Sequence, residues 1–180
     1  MSTGIISKKG RVPTRTSTKR VISDSLSFVQ ANAKSFHFKI VQNTFKKLLS
    51  HIYGDQKNSL KKIKEGKDRI CELMLNYQHN PLGIIVYKNS LQNEHGLSNA
   101  LELKTLLLLN PNKNSGQGYG SRLFQRIDEV AKELGAELIY CTASSKVENS
   151  IKCAMKNGYK VAKILEETGD RILYLLIKNL

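Results

Sequence analysis

The sequence has no tryptophan, three prolines and three cysteines in 180 residues. The cysteines, Cys71, Cys141 and Cys153, are an odd number at unrelated spacings, which gives no sign of a disulfide framework. Set among apolar neighbours, they read as reduced thiols of a cytoplasmic protein. The four histidines, His37, His51, His79 and His95, share no ligand spacing with cysteine or carboxylate, so no metal site is expected. Long apolar runs are missing too. The longest, Ile84 to Tyr87 and Leu106 to Leu109, are strand-sized, whereas a bilayer span needs roughly 18–20 residues. The N-terminus has no apolar signal-peptide core, so neither membrane insertion nor secretion is expected.

Acidic residues are scarce as well, 15 against 29 lysines and arginines, for a net charge of +14. The imbalance is uneven. Residues 1–20 hold Lys8, Lys9, Arg11, Arg15, Lys19 and Arg20 and no acid, leaving +8 for the rest. This stretch reads as a solvated, disordered tail, or as an electrostatic arm for nucleic acid or another acidic partner. It has no interleaved aromatics that would point to sequence-specific recognition, and no amphipathic leucine face that a presequence would show.

What is present is enough for one folded domain: the chain is long enough to bury a core, and its hydrophobic content of 40% is that of a globular protein. Residues 1–34, rich in Ser, Thr, Lys and Gly, read as the basic flexible tail, and 35–180 as the domain. Phe36, Phe38 and Ile40 alternate with His37 and Lys39, the period of a strand. Asn43 or Thr44 would then cap a helix through Phe45, Leu48, Leu49 and Ile52 that Gly54 ends. A charged, more exposed helix follows over 57–67. Arg69 to Tyr77 and Leu82 to Tyr87 predict an antiparallel hairpin, and Ala100 to Leu109 a third strand. Leu123, Phe124, Ile127, Val130, Ala131 and Leu134 mark one helix face, stopped by Gly135. A strand over 138–142, a short helix over 147–155 and two last strands, 159–165 and 171–177, complete a mixed α/β layout.

Between the third strand and the long helix lies Asn112-Lys113-Asn114-Ser115-Gly116-Gln117-Gly118-Tyr119-Gly120-Ser121. Alternating glycines let the backbone approach a ligand and adopt positive φ, and a helix N-terminus offers unpaired amides to an anion. A nucleotide P-loop is excluded because no Gly-Lys-Ser/Thr closes the turn. The dinucleotide motif fits poorly, with Gly-x-Gly-x-Gly spacing and no acid ending the next strand. A tight turn without ligand leaves the three alternate glycines unexplained.

From about Ser35 to Leu180 the chain resembles the GNAT N-acetyltransferases. The resemblance rests on Leu106-Leu107-Leu108-Leu109-Asn110-Pro111, on Ser115 to Ser121 with the helix after it, on Asn157-Gly158-Tyr159, and on the element order. It implies a single-domain mixed sheet flanked by helices, with acetyl-CoA as co-substrate and no metal. The family motif begins with Arg or Gln where this chain has Ser115. The resemblance places cofactor contacts on Ser115, Gly116, Gln117, Gly118, Tyr119, Gly120 and Ser121; Asn149, at the start of the short helix, reads first as its cap and otherwise as a cofactor contact. It also assigns Leu107, Leu108 and Leu109 to a bulge whose amides hold the acetyl carbonyl and pantetheine. The next strand would diverge to open a slot.

The usual acid, a tyrosine four residues before the glycine of the second landmark, is replaced by Ala154. Tyr159, Tyr140 and Tyr174 are substitutes by type, with Tyr159 taken as the candidate. Glu102 is the best placed base, and Glu94 and His95 lie in a loop that borders acceptor sites in the family. The expectation is an N-acetyltransferase whose acceptor is a small amine, a protein or an aminoacyl-tRNA. The alternative is a non-catalytic acyl-CoA-binding or nucleic-acid-associated module. An exposed last strand would allow a homodimer.

Overall fold

The computed structural model describes residues 26–180, so the basic stretch before Leu26 lies outside the described residues. Strand β1 is Ser27–Gln30, within the segment expected to be linker. It pairs antiparallel with β2, Arg69–Leu75, in register from Ser27 opposite Leu75 to Gln30 opposite Glu72. Four residues of strand are too few to show a period. What holds them is tertiary: the guanidinium carbons of Arg122 and Arg126 lie 5.5 and 5.7 Å from the Phe28 ring centroid.

The strand expected over Phe36 to Ile40 is instead the entry to a helix. Ser35 Oγ accepts the His37 amide at 3.1 Å, and α1 runs Phe38–Thr44. The alternation was short and coincided with a helical pattern: Phe38, Val41, Phe45 and Leu49 are buried while Phe36 is 85% exposed. Asn43 and Thr44 are therefore interior to this helix. It continues through a π-helical segment, Phe45–Leu49, into α2, Ser50–Tyr53, and ends at Gly54 with φ of 74°. Helix α3, Lys57–Glu65, follows and stops at Gly66 in the left-handed region.

Beyond the hairpin of β2 and β3, Pro81–Lys88, come β4, Ala100–Leu108, and a single helical turn α4, Pro111–Asn114. The long helix α5 is Tyr119–Glu133, β5 is Leu138–Ser144 and α6 is Glu148–Lys156. Two antiparallel strands, β6 over Lys160–Thr168 and β7 over Arg171–Asn179, close the chain. The sheet is seven-stranded among the described residues, in the order β1-β2-β3-β4-β5-β7-β6. The last strand in sequence is thus internal, and the edges are β1 and β6.

The sheet has a core on each face. One face carries α5 and α6 over Ile85, Tyr87, Leu101, Leu103, Ile139 and Leu176. The other carries α1 and α3 over Leu73, Ile84 and Val86. Close approach of α5 depends on Gly83, where a Cβ would come within 2.7 Å of Leu123 Cδ1 and 3.1 Å of the Leu107 carbonyl oxygen.

Helix α5 is also pinned by charge. Arg126 meets the buried Glu72 carboxylate through two hydrogen bonds, Nε to Oε2 at 2.8 Å and Nη2 to Oε1 at 3.0 Å. The Tyr87 hydroxyl donates to Oε1 at 3.0 Å. Such a fork, mostly removed from water, costs much more to break than a surface pair. Arg126→Ala is expected to lower stability by about 3 kcal/mol in urea denaturation, because Glu72 would be left buried without its cation. A loss under about 1 kcal/mol would class the pair with solvated surface bridges.

Candidate functional site

The parallel ladder between β4 and β5 is short. It joins Ala100 to Leu138, Leu101 to Ile139 and Glu102 to Tyr140, then stops, although both strands continue. Past this point the sheet forks, as the resemblance implies. Strand β4 stays in register with β3 up to Leu108, and the Leu109 amide donates to the Leu82 oxygen at 2.8 Å. Antiparallel alternation therefore turns the backbone groups of Leu107 and Leu109 towards β3, and those of Leu106 and Leu108 towards the opening.

This corrects the expected bulge. The extra residue of β4 falls at Lys104, where the partner of Tyr87 becomes Leu103. Regular pairing beyond it occupies Leu107 and Leu109, so Leu108 alone of that trio offers its backbone to the slot. Leu106, not singled out from sequence, joins it. Strand pairing, which decides this, leaves no trace in a run of four leucines.

The glycine turn stands at the end of β4. Asn110, with φ of 48°, starts α4. Buried Asn114 donates from Nδ2 to the Leu109 oxygen at 2.6 Å, tying the turn to the strand. Gln117 folds back to donate from Nε2 to the Lys113 oxygen at 2.8 Å. Gly116 and Gly118 have φ of 75° and 82°, and a Cβ on either would meet nothing within 4 Å. Gly118 is the N-cap of α5 and makes no side-chain cap. Among the described residues, the amides of Gly116, Gln117, Gly118, Tyr119, Gly120 and Ser121 donate to no backbone or side-chain acceptor; the first helical bond on this turn is Arg122 N to Gly118 O at 3.0 Å. Six successive free amides at a helix N-terminus make a concave anion site that needs no charged side chain. Ser115 and Lys113 are exposed beside it.

Gly120 is informative because the fold does not require it. Its φ is not positive, and an added Cβ would meet only Cys153 Sγ at 3.6 Å, an ordinary contact. Space in front of Gly120 is what a side chain would consume.

Below the fork, Glu102 is 2% exposed. Its Oε2 lies 3.0 Å from Lys88 Nζ, and Oε1 is bonded by Lys104 Nζ. Burial pushes the carboxyl pKa up, but hydrogen bonds from Lys104 and Lys88 and the charge of Lys104 outweigh it and hold the group below its ordinary value of 4.5. A carboxylate so clamped is a weak base. Tyr140, fully buried alongside, has no aligned hydrogen-bond partner; burial and the neighbouring Glu102 carboxylate raise its pKa well above the usual tyrosine range. The His95 ring stands edge-on to it at 5.4 Å, so the loop before β4 does border this cluster.

Tyr159, the expected acid, is a core side chain. It is 1% exposed, packs against Phe124 with centroids 5.4 Å apart, and its hydroxyl finds no partner. Burial drives its pKa upward. Its place before β6 turns the ring into the α5–α6 core, so it has no open path to the slot. Ala154 is buried beside it. Asn149 does not cap α6: the N-cap is Val147, without a side-chain bond, and Asn149 is exposed in the first turn. Two further residues escape sequence reasoning. Thr142 is exposed on β5 just past the last β4 pair, and Arg171 keeps a buried Nε without a hydrogen-bond partner at the start of β7.

No family model matches the chain, and no curated protein matches its sequence. Solved structures do match in shape. An acetyltransferase assigned to the GNAT family from Desulfovibrio desulfuricans superposes with a TM-score of 0.67 at 8% identity, over 86% of this chain and 99% of that one. The chain has the GNAT fold. NAA60 of Arabidopsis thaliana, solved with a bisubstrate analogue, gives a TM-score of 0.69 at 10% identity, covering 86% of this chain and 98% of that chain. PaiA N-acetyltransferase of Thermoplasma acidophilum, solved with coenzyme A, gives 0.62 at 14% identity over 87% and 100%. Among the described residues no helix of this GNAT-fold chain is long and apolar enough to cross a membrane, and no group of three or more metal-ligating side chains occurs.

The lowered Glu102 pKa has a defined pH signature. Its contribution is fully present above the ordinary carboxylate pKa and is lost as pH falls through the lowered folded value. Thermal melts from about pH 7 down to about pH 3 should show Glu102→Gln less stable at neutral pH and with a shallower acid loss than wild type. Parallel curves for the two proteins would remove Glu102 from the acid transition.

Proposed function

We propose that the chain is an acetyl-CoA-dependent N-acetyltransferase. The observation that carries this is the run of free amides from Gly116 to Ser121, set at the mouth of the β4–β5 fork in a GNAT fold. A pyrophosphate matches that anion site, and the outward backbone edges of Leu106 and Leu108 match an extended amide-bearing arm such as pantetheine. Bound acetyl-CoA would supply an activated thioester. The amide edge of β4 would orient it, and the fork would admit the acceptor amine from the other face.

Within this reading Glu102 is a positioning residue that fixes Lys88 and Lys104 at the base of the slot. Asn149 is free to meet the cofactor from α6. A thiolate is a tolerable leaving group, so positioning and electrostatics carry much of the rate without a dedicated acid. The acceptor is left as an amine of small-molecule, protein or aminoacyl-tRNA origin.

Gly120→Asp tests the cofactor site cleanly. An acid in the first turn of α5 favours the helix dipole, so the melting temperature should hold or rise. Its charge would be added within the run of amides proposed to hold the pyrophosphate, so acetyl-CoA affinity by calorimetry should fall at least about tenfold. Wild-type protein that binds no acetyl-CoA, or a variant that binds as well, ends this proposal.

A second reading has its own support. With Ala154 at the usual acid position and Tyr159 sealed in the core, the domain would bind acyl-CoA without turnover. Release of free thiol from acetyl-CoA with any amine, peptide or aminoacyl-tRNA acceptor excludes it.

A further inference from the structure

The face of the sheet opposite α5 carries a feature that acetyl transfer does not use. Between α1 with its π-helical extension and α3 runs an open groove of about 340 Å³. Lys46, Lys57, Lys61 and Lys64 line it over a floor that includes Phe38 and Leu60, and no acidic residue does. Lys57, Lys61 and Lys64 recur at i, i+4 and i+7, one stripe along α3, with Lys46 facing them from the other helix. All four lysines are exposed. Lys57 lies 3.6 Å from Asp55, a solvated pair of little worth; among the described residues the other three face no carboxylate within ion-pair distance. Residues 38–67 together hold eight lysines and two acids, most of the excess charge outside the N-terminal stretch.

Two observations narrow the ligand. The lysines border a concavity, which a linear polyanion can enter and a flat bilayer cannot follow. Phe36, two residues before the groove-lining Phe38, is 85% exposed, with only the edge of His37 against it. A cationic groove with an exposed aromatic beside it combines the two elements by which single strands are held, phosphate neutralisation and base stacking. We propose that the groove between α1 and α3 binds single-stranded nucleic acid. The site lies across the sheet from the glycine turn and does not depend on the acetyltransferase reading.

The test uses the full chain and a fluorescein-labelled single-stranded RNA of mixed sequence, read by anisotropy across a salt series. The groove's four phosphate contacts contribute about −3 to the slope of log affinity against log salt, on top of whatever the basic N-terminal stretch adds. The triple variant Lys46→Ala, Lys61→Ala, Lys64→Ala should flatten the slope by about 2 and lose at least about tenfold in affinity at low salt. Phe36→Ala should weaken binding by about tenfold with the slope unchanged, the signature of stacking. All four side chains are exposed, so circular dichroism melts and acetyl-CoA binding should match wild type. The proposal is overturned if the full chain binds no RNA at low salt, or if the triple variant binds as wild type does. Equal affinity for duplex RNA overturns it as well, as do phosphatidylserine vesicles that bind while RNA does not.

Discussion

Three residue pairs hold the two halves of this sheet together. Beyond Glu102 and Tyr140 the strands separate, and a backbone that stops pairing must give its polar groups another partner. Strand β4 does this on one side by staying in register with β3, and β5 by pairing with β7 along its whole length. Each half is therefore a complete antiparallel unit, and the opening costs only the inner edges. Those edges face solvent or ligand. The fork is stable because α5 bridges it: Leu123, Phe124, Ile127, Val130 and Ala131 share one core with Leu101 and Leu103 of one half and Ile139, Cys141 and Leu176 of the other. The helix that holds the halves together is also the helix whose N-terminus presents the free amides, so packing and binding geometry are set by one element.

Charge reinforces the same arrangement from both faces. On the α5 face, Arg126 grips Glu72 of β2 and fixes the helix over the first half of the sheet. On the other face, Lys88 and Lys104 close over Glu102 at the last residue pair before the fork. In a chain with twice as many cations as acids, the two most buried carboxylates each stand against a cation. A lysine or arginine brought beside buried apolar surface is costly unless an anion meets it, and these two positions supply one. Most of the remaining excess of cations lies on the π-helical segment, α3 and the residues just around them.

The elements most legible in the sequence are those in which local pattern and tertiary demand agree. The face of α5 from Leu123 to Val130, the hairpin of β2 and β3, and the glycine turn all follow from periodicity and backbone conformation. Phe36 to Ile40 was misleading because five residues satisfy a strand and a helix equally, and contacts made by Phe38, Val41 and Phe45 with the sheet decided it. Ser27 to Gln30 carries no local signal at all; Phe28 is held by arginines almost a hundred residues later in the chain. At the candidate site, the turn with its free amides could be read, since glycine reports directly on φ. The orientation of Leu106 and Leu108, the clamp on Glu102 and the burial of Tyr159 could not, because strand register and burial belong to the assembled sheet.

The difference between what glycine reveals and what leucine conceals bears on how this fold varies. A pocket made from amide groups constrains residue type only where a side chain would intrude or where φ is positive. Here that means Gly116, Gly118 and Gly120, together with the helix that follows. The slot edge places no demand on the side chains of Leu106 and Leu108 beyond a strand. The fold itself is shared with solved structures at 8–16% identity. Side chains that would act chemically have no such protection. Ala154 is buried in the α5–α6 core and Ser115 is exposed beside the turn, and neither side chain bonds the amides of Gly116 to Ser121. The backbone geometry of the turn is thus set independently of the side chains around it.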